Sequence, residues 1–192
     1  MFLMNGAQFA KDFVNNYLIH DMPLRLIEYR NGWATNDIEL PSPVKYTTYE
    51  PIALDEWPTV ITVVMSTNSM ERIGYRNGDP LYRVDYSMRT YVWVKDVGSA
   101  EVTLMRDRLA TVLRSAILDY PCLKAMDRED VLRIQIDEGT IQEQFSDLTL
   151  LKGDRVLAGA YLSYNLMIDE VVERKPLGSA ETINVTTGLI VP

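Results

Sequence analysis

Cysteine and histidine are nearly missing from this sequence, with one of each among 192 residues. A lone cysteine, Cys122, cannot close an internal disulfide, and its presence fits folding in a reducing, intracellular setting. Between Pro121 and Leu123 it reads as a small buried hydrophobe. His20 is the only base available for Ser-His or Cys-His nucleophilic chemistry, and its position at the end of a first amphipathic segment suits a helix C-terminus. One Cys and one His cannot build the common zinc sets, and no Asp-rich calcium loop is present. The acidic run Asp127, Glu129, Asp130 is the remaining carboxylate candidate for Mg²⁺, although such a run between a helix and a strand is ordinarily a solvated turn.

Phosphate loops are missing too, since neither GxGxxG nor GxxxxGK[ST] occurs. No run approaches the roughly 20 apolar residues that span a bilayer, and Met1-Phe2-Leu3-Met4 lacks the basic and hydrophobic regions of a signal peptide. The expected protein is therefore soluble, without a membrane partner. Net charge is −8, from 27 acidic against 19 basic residues, which argues against a broad DNA-binding face. Arg106, Arg108 and Arg114 lie among Glu101 and Asp107, as on a solvated or intersubunit helix face. With 27 acids some carboxylate pair always falls at a workable distance, so pairs alone do not indicate glycoside-type catalysis. No cofactor and no enzymatic activity are expected.

What is present is a globular balance, 47% hydrophobic and 24% charged, in a chain long enough for one well-buried core. Asn5-Gly6-Ala7-Gln8 has capping-box spacing, and Ala7, Ala10, Phe13, Val14, Tyr17 and Leu18 follow at helical intervals, predicting a helix from Gly6 to His20. Asp21-Met22-Pro23 interrupts it, with a second short piece through Tyr29. The proline-rich segment 33–53 suits a long loop or, over Val44 to Tyr49, an edge strand. Val60-Ile61-Thr62-Val63-Val64 reads as a central strand buried on both faces.

Asn77-Gly78 marks a hairpin turn into a clean alternation from Leu81 to Val94, with Tyr82, Val84, Tyr86, Met88, Val92 and Val94 on one face and Arg83, Asp85, Ser87 and Arg89 on the other. So long a strand must bulge or project, and the aromatics Tyr91 and Trp93 on its exposed face favour contact with a neighbour. Ser99 is positioned to cap a long helix, with Val102, Met105, Leu109, Val112, Leu113 and Ala116 inward, ending at Tyr120-Pro121. Val131 to Asp137 alternates as a strand. Phe145 to Leu151 and Arg155 to Val172 flank Lys152-Gly153-Asp154 as a hairpin with one very long arm. The fold class is α+β: a mostly antiparallel sheet with two main helices packed on it, a long β-hairpin, one domain over 1–175 and an extended C-terminal arm over 176–192. Ile183, Val185, Thr187 and Leu189 give that arm an apolar face, ready to fray or to join a sheet edge of its own or another chain.

Glu56-Trp57-Pro58-Thr59-Val60, the strand Tyr86 to Val94 feeding Thr103-Leu104-Met105-Arg106-Asp107-Arg108-Leu109, and Asp119-Tyr120-Pro121 together resemble phage tail terminators, as does the order of elements. That family implies a small subunit of a hexameric ring that caps the tail tube, stops its growth and offers the surface to which the head joins. Its implied partners are further copies of itself, the tail tube protein and a head-tail connector protein, with DNA only passing through the lumen. Its place is the virion tail or neck, assembled in the host cytoplasm. No active-site residues carry over. A head-to-tail ring needs two different complementary surfaces per subunit. Arg89, Tyr91 and Trp93 on the long strand, Arg106 and Arg114 on the helix, and Ile183 and Val185 on the arm are the expected interface residues. Another head-to-tail connector or joining protein, a tail-tube subunit, a small hydrolase and a peptide-binding module are the competing readings.

Overall fold

The computed structural model describes residues 6–32, 40–50, 55–119, 122–123, 131–146, 148–150 and 155–172. The arm over 176–192, the turn at Lys152-Gly153-Asp154 and the acidic run Asp127 to Asp130 lie outside these residues, as does the environment of the Cys122 side chain. Helix α1 (Gly6–Gly32) is followed by β1 (Lys45–Thr47), β2 (Thr59–Arg76), β3 (Asp79–Val97), α2 (Ser99–Leu118), β4 (Cys122–Leu123), β5 (Val131–Phe145), β6 (Thr149–Leu150) and β7 (Arg155–Val171). The strands form one sheet in the order β1-β2-β3-β7-β5-β4, with β6 also pairing β7. Among the described strands only β1 runs parallel to its neighbour. The α+β class and the mostly antiparallel sheet are as the sequence predicts.

β3 and β7 pair without a break from Leu81 opposite Val171 to Val97 opposite Arg155. Their opposed residues share a face, so Val84, Tyr86, Met88, Val92 and Val94 align with Ile168, Leu166, Tyr164, Ala160 and Ala158, all buried. Ile134 and Ile136 of β5 extend this apolar surface. Helices α1 and α2 close over it in one continuous core, to which α1 adds Ala10, Val14, Leu18, Met22 and Leu26. Those five positions step by four residues and form a single ridge. Tyr17 ties the helices together by donating to the Ala116 carbonyl at 2.9 Å. Arg25 adds a bond to Ser115 at 3.0 Å and ion pairs with Asp21 and Asp119.

Several sequence expectations are corrected. α1 does not break at Asp21-Met22-Pro23 but contains Pro23 and runs to Gly32. The missing N–H at Pro23 costs about 3 kcal/mol in an isolated helix, and the fully buried Leu18, Met22 and Leu26 on either side hold the ridge together through it. His20 consequently sits inside the helix, exposed, and not at its C-terminus. Gln8 donates to Asp12 at 2.8 Å, one turn onward, and Asn5 lies outside the described residues. The α2 N-cap is Gly98, with φ 103, and Ser99 lies within the helix, where its carbonyl accepts from Thr103. Arg108, assigned to the solvated face, is buried at 8% exposure.

β2 is longer than its apolar run. It continues to Arg76 beyond the buried stretch Thr59 to Val63, and it lies between β1 and β3, one strand in from the edge. The choice between a bulged and a projecting β3 resolves in an unexpected way. β3 stays regular, and three register shifts fall in β2, leaving Met65, Asn68 and Ile73 unopposed. The hairpin turns through Asn77 (φ 53) and Gly78 (φ 91), the positive-φ pair that the Asn-Gly signal predicts. β5 likewise extends past Asp137 to Phe145, with residues 138–141 bulging out between Asp137 and Gln142. The short arm of the late hairpin is only Thr149–Leu150.

A buried polar chain crosses the core side of the sheet. Thr62 Oγ1 lies 3.3 Å from Thr90 Oγ1, which lies 2.9 Å from the Tyr164 hydroxyl. Burial pushes the Tyr164 phenol upward, opposed by its bond to Thr90. Burial also pushes Tyr17 and Tyr46 up to about 12. A phenol with a raised folded-state pKa contributes stability that is fully present below about pH 10 and is lost as pH rises toward the folded value. Tyr164→Phe is expected to cost about 1 kcal/mol at neutral pH by removing one buried bond, and to reduce the stability lost between neutral pH and about pH 11. Urea unfolding at the two pH values measures both effects.

Candidate interface

With both helices on one side, the odd-numbered residues of β3 point to a face that no described helix covers. Three of the expected interface residues meet there. The Arg89 guanidinium stands 4.4 Å over the Tyr161 ring and 5.8 Å from that of Tyr91, and donates to the Tyr91 hydroxyl at 3.1 Å. The Tyr91 and Tyr161 rings are tilted with centroids 5.3 Å apart, as opposed residues of β3 and β7 should be. The bond to Tyr91 supports the Arg89 charge against burial, with Glu50 adding a favourable field. Arg89 Nε is shielded from solvent and has no hydrogen-bond partner within the described chain.

Trp93 extends the cluster by lying flat on Gly159 of β7. A Cβ on Gly159 would sit 2.6 Å from Trp93 Cε3, inside any tolerable contact, so the indole fits only because the strand carries glycine there. The Gly159 backbone is held from the other side. Its N–H donates to Ser146 Oγ at 2.8 Å, and its carbonyl accepts from the Ser146 N–H at 2.8 Å. Lys95 places its ammonium 5.5 Å above the Trp57 ring nearby. Ile61 and Val63 of β2 are buried on this same face at 4% and 8% exposure. The aromatics are thus half-buried, more enclosed than the solvent-facing row that the alternation alone predicts.

The remaining expected residues lie elsewhere. Arg106 bonds the Ser146 carbonyl at 2.9 Å, stacks 5.0 Å over Phe145 and pairs with Asp107, fastening α2 to the end of β5 within the chain. Arg114 pairs with Glu143 of β5 at 2.8 Å while staying half exposed. Ile183 and Val185 lie outside the described residues. Gly159, Tyr161, Trp57 and Lys95 were not among the interface residues expected from sequence, although Trp57 stands in the motif that carries the resemblance. A glycine within the strand stretch Ala158-Gly159-Ala160 was a usable signal of close approach.

The opposite side of the molecule offers a second apolar surface. Ile19, Leu24 and Ile27 of α1 are 38%, 64% and 55% exposed, on the side turned away from the ridge that packs on the sheet. Among the described residues no group of His, Cys, Asp and Glu could hold a metal ion, and no described helix is long and apolar enough to cross a membrane. No protein-family model matches this sequence, and comparison with curated proteins finds no match either.

Gly159→Ala is expected to destabilise the fold by about 1 to 3 kcal/mol through overpacking against the indole. In a Trp93→Leu background the same change should cost markedly less, and a double-mutant cycle by urea unfolding measures the coupling. Equal costs in both backgrounds would show that Trp93 is not what excludes a side chain at Gly159.

Proposed function

We propose that this chain is the subunit of a ring that caps a phage tail tube, ends its polymerisation and presents the head-joining surface, without enzymatic activity. The observation that carries the reading is that both described helices lie on one side of the sheet, which leaves the Arg89-Tyr91-Trp93-Tyr161 cluster uncovered by either while α1 exposes Leu24 and Ile27 on the opposite side. A closed ring requires two different patches that fit each other across every subunit boundary. Aromatic and arginine side chains on one patch and an apolar helix face on the other meet that need, and Tyr, Trp and Arg are the residue types that anchor interfaces. Copies of the chain, the tail tube protein and a head-tail connector protein are the partners, in a virion neck assembled in the host cytoplasm. The charge of −8 suits a lumen that DNA must pass without adhering. A joining protein on the portal side of the neck would use the same two patches, and position in the particle separates the two roles.

Leu24→Asp and Tyr91→Asp test the pairing of patches from both sides. Each places a charge in a contact that leaves it unpaired or poorly solvated, at a cost of several kcal/mol to association. Native mass spectrometry of the concentrated wild-type chain is expected to give one closed species, hexameric by the proposal. Each variant is expected to give a monomer whose far-ultraviolet circular dichroism is unchanged. A wild-type monomer, or rings that persist in both variants, would contradict this pairing.

A further inference from the structure

Arg89 is held firmly in place and yet lacks a counter-charge in contact with it. Its Nη1 donates to the Tyr91 hydroxyl at 3.1 Å, and its guanidinium carbon stands 4.4 Å from the Tyr161 ring centroid. Nε is shielded from solvent without a partner, whereas Nη2 is neither shielded nor bonded among the described residues. Glu50 contributes a favourable field, and no carboxylate of the described residues bonds the guanidinium. Arg83, on the same face of β3, is satisfied differently, because Asp169 of β7 accepts from its Nε and Nη2 together at 2.7 and 2.8 Å. A guanidinium already fixed by a ring and a phenol loses little freedom when it pairs. The surrounding rings also displace water, so a carboxylate arriving at Arg89 interacts more strongly than it would on an open surface.

Helix α1 carries a matching charge. Leu24, Ile27 and Glu28 are exposed together on the side turned away from the packed ridge, with Glu28 one turn on from Leu24. The other acids of α1 within the chain are occupied, since Asp21 pairs with Arg25 and Asp12 accepts from Gln8. Glu28 makes neither an ion pair nor a hydrogen bond with any described residue. The two patches that meet in the proposed ring therefore each hold one half of an ion pair, an arginine among aromatics on one and a lone carboxylate beside two aliphatic side chains on the other.

We infer that Glu28 of each copy pairs with Arg89 of the next, fixing the register of the contact while Leu24 and Ile27 meet the aromatic rings. The pairing rests on the ring reading above and supplies its counter-charges. Because the contact is head-to-tail, each subunit offers Glu28 to one neighbour and Arg89 to the other. Aromatic neighbours around a charge pair at the centre of a contact are also what concentrates binding energy there.

Charge reversal tests this on the full chain by native mass spectrometry. Glu28→Lys and Arg89→Glu are each expected to weaken closure about tenfold or more and to leave the far-ultraviolet circular dichroism unchanged. An equimolar mixture of the two variants should close again with equal numbers of each, since alternating them places one original and one reversed pair at successive boundaries. Glu28→Gln, Arg89→Gln and their combination form a neutral cycle, in which the double variant should weaken closure no more than the larger single effect. Closed rings in both reversed variants, a mixture that stays open, or additive losses in the neutral cycle would each overturn the pairing. If these occur while the wild type closes and Leu24→Asp and Tyr91→Asp open it, the ring reading stands and the pairing alone falls. A wild-type monomer would overturn both.

Discussion

The unbroken pairing of β3 with β7 is the constraint on which the rest of the molecule depends. Side chains alternate with a period of two, so a slip of β3 by one residue along β7 would send Met88 and Val92 to the outer face and Arg89 and Tyr91 into the core. The long match from Leu81 to Val97 fixes the register many times over. Both helices then have one apolar surface to cover, and the aromatic cluster has one place to form. Irregularity is pushed outward to the flanking strands, where β2 sheds residues at its register shifts and β5 loops out over 138–141. In β5 the excursion is stitched locally, with the Asn165 N–H donating to Thr140 Oγ1 and Thr140 donating to the Asp137 carbonyl.

This regular ladder is also what could be read from the amino-acid order. The alternation from Tyr82 to Val94, the stepped apolar positions of α2 and the Asn77-Gly78 turn each express one local rule with no competitor, and each appears in the structure as that rule requires. Where two rules compete, local reading fails. Pro23 signals a break, but a ridge of buried side chains on both sides of it outweighs the lost bond. Past Val64 each register shift resets the alternation, so the extension of β2 carries no strand signal although Thr67 and Ser69 are paired with β3. The alternation of β5 is interrupted in the same way at residues 138–141, which have no partner on β7.

The candidate site divides along similar lines. Arg89, Tyr91 and Trp93 could be placed together because they occupy odd positions of one strand. Tyr161 and Gly159 required the register of a strand far along the chain. Arg106 and Arg114 were read as available charges, whereas Ser146, Phe145 and Glu143 occupy them from β5, whose extension past Asp137 was not legible.

A sheet whose described helices all lie on one side suits a subunit that finishes its packing against neighbours, and the proposed ring joins the other face to the exposed side of α1. Capping a tube adds a demand that ring closure alone does not meet, since the ring must recognise a tube end and prevent the next addition. The most direct measurement is electron microscopy of tubes grown from the cognate tail tube protein with and without this chain. The account predicts ring-shaped density at tube ends and arrested, uniform tube lengths when the chain is present. Bare tube ends with an unchanged length distribution would contradict it.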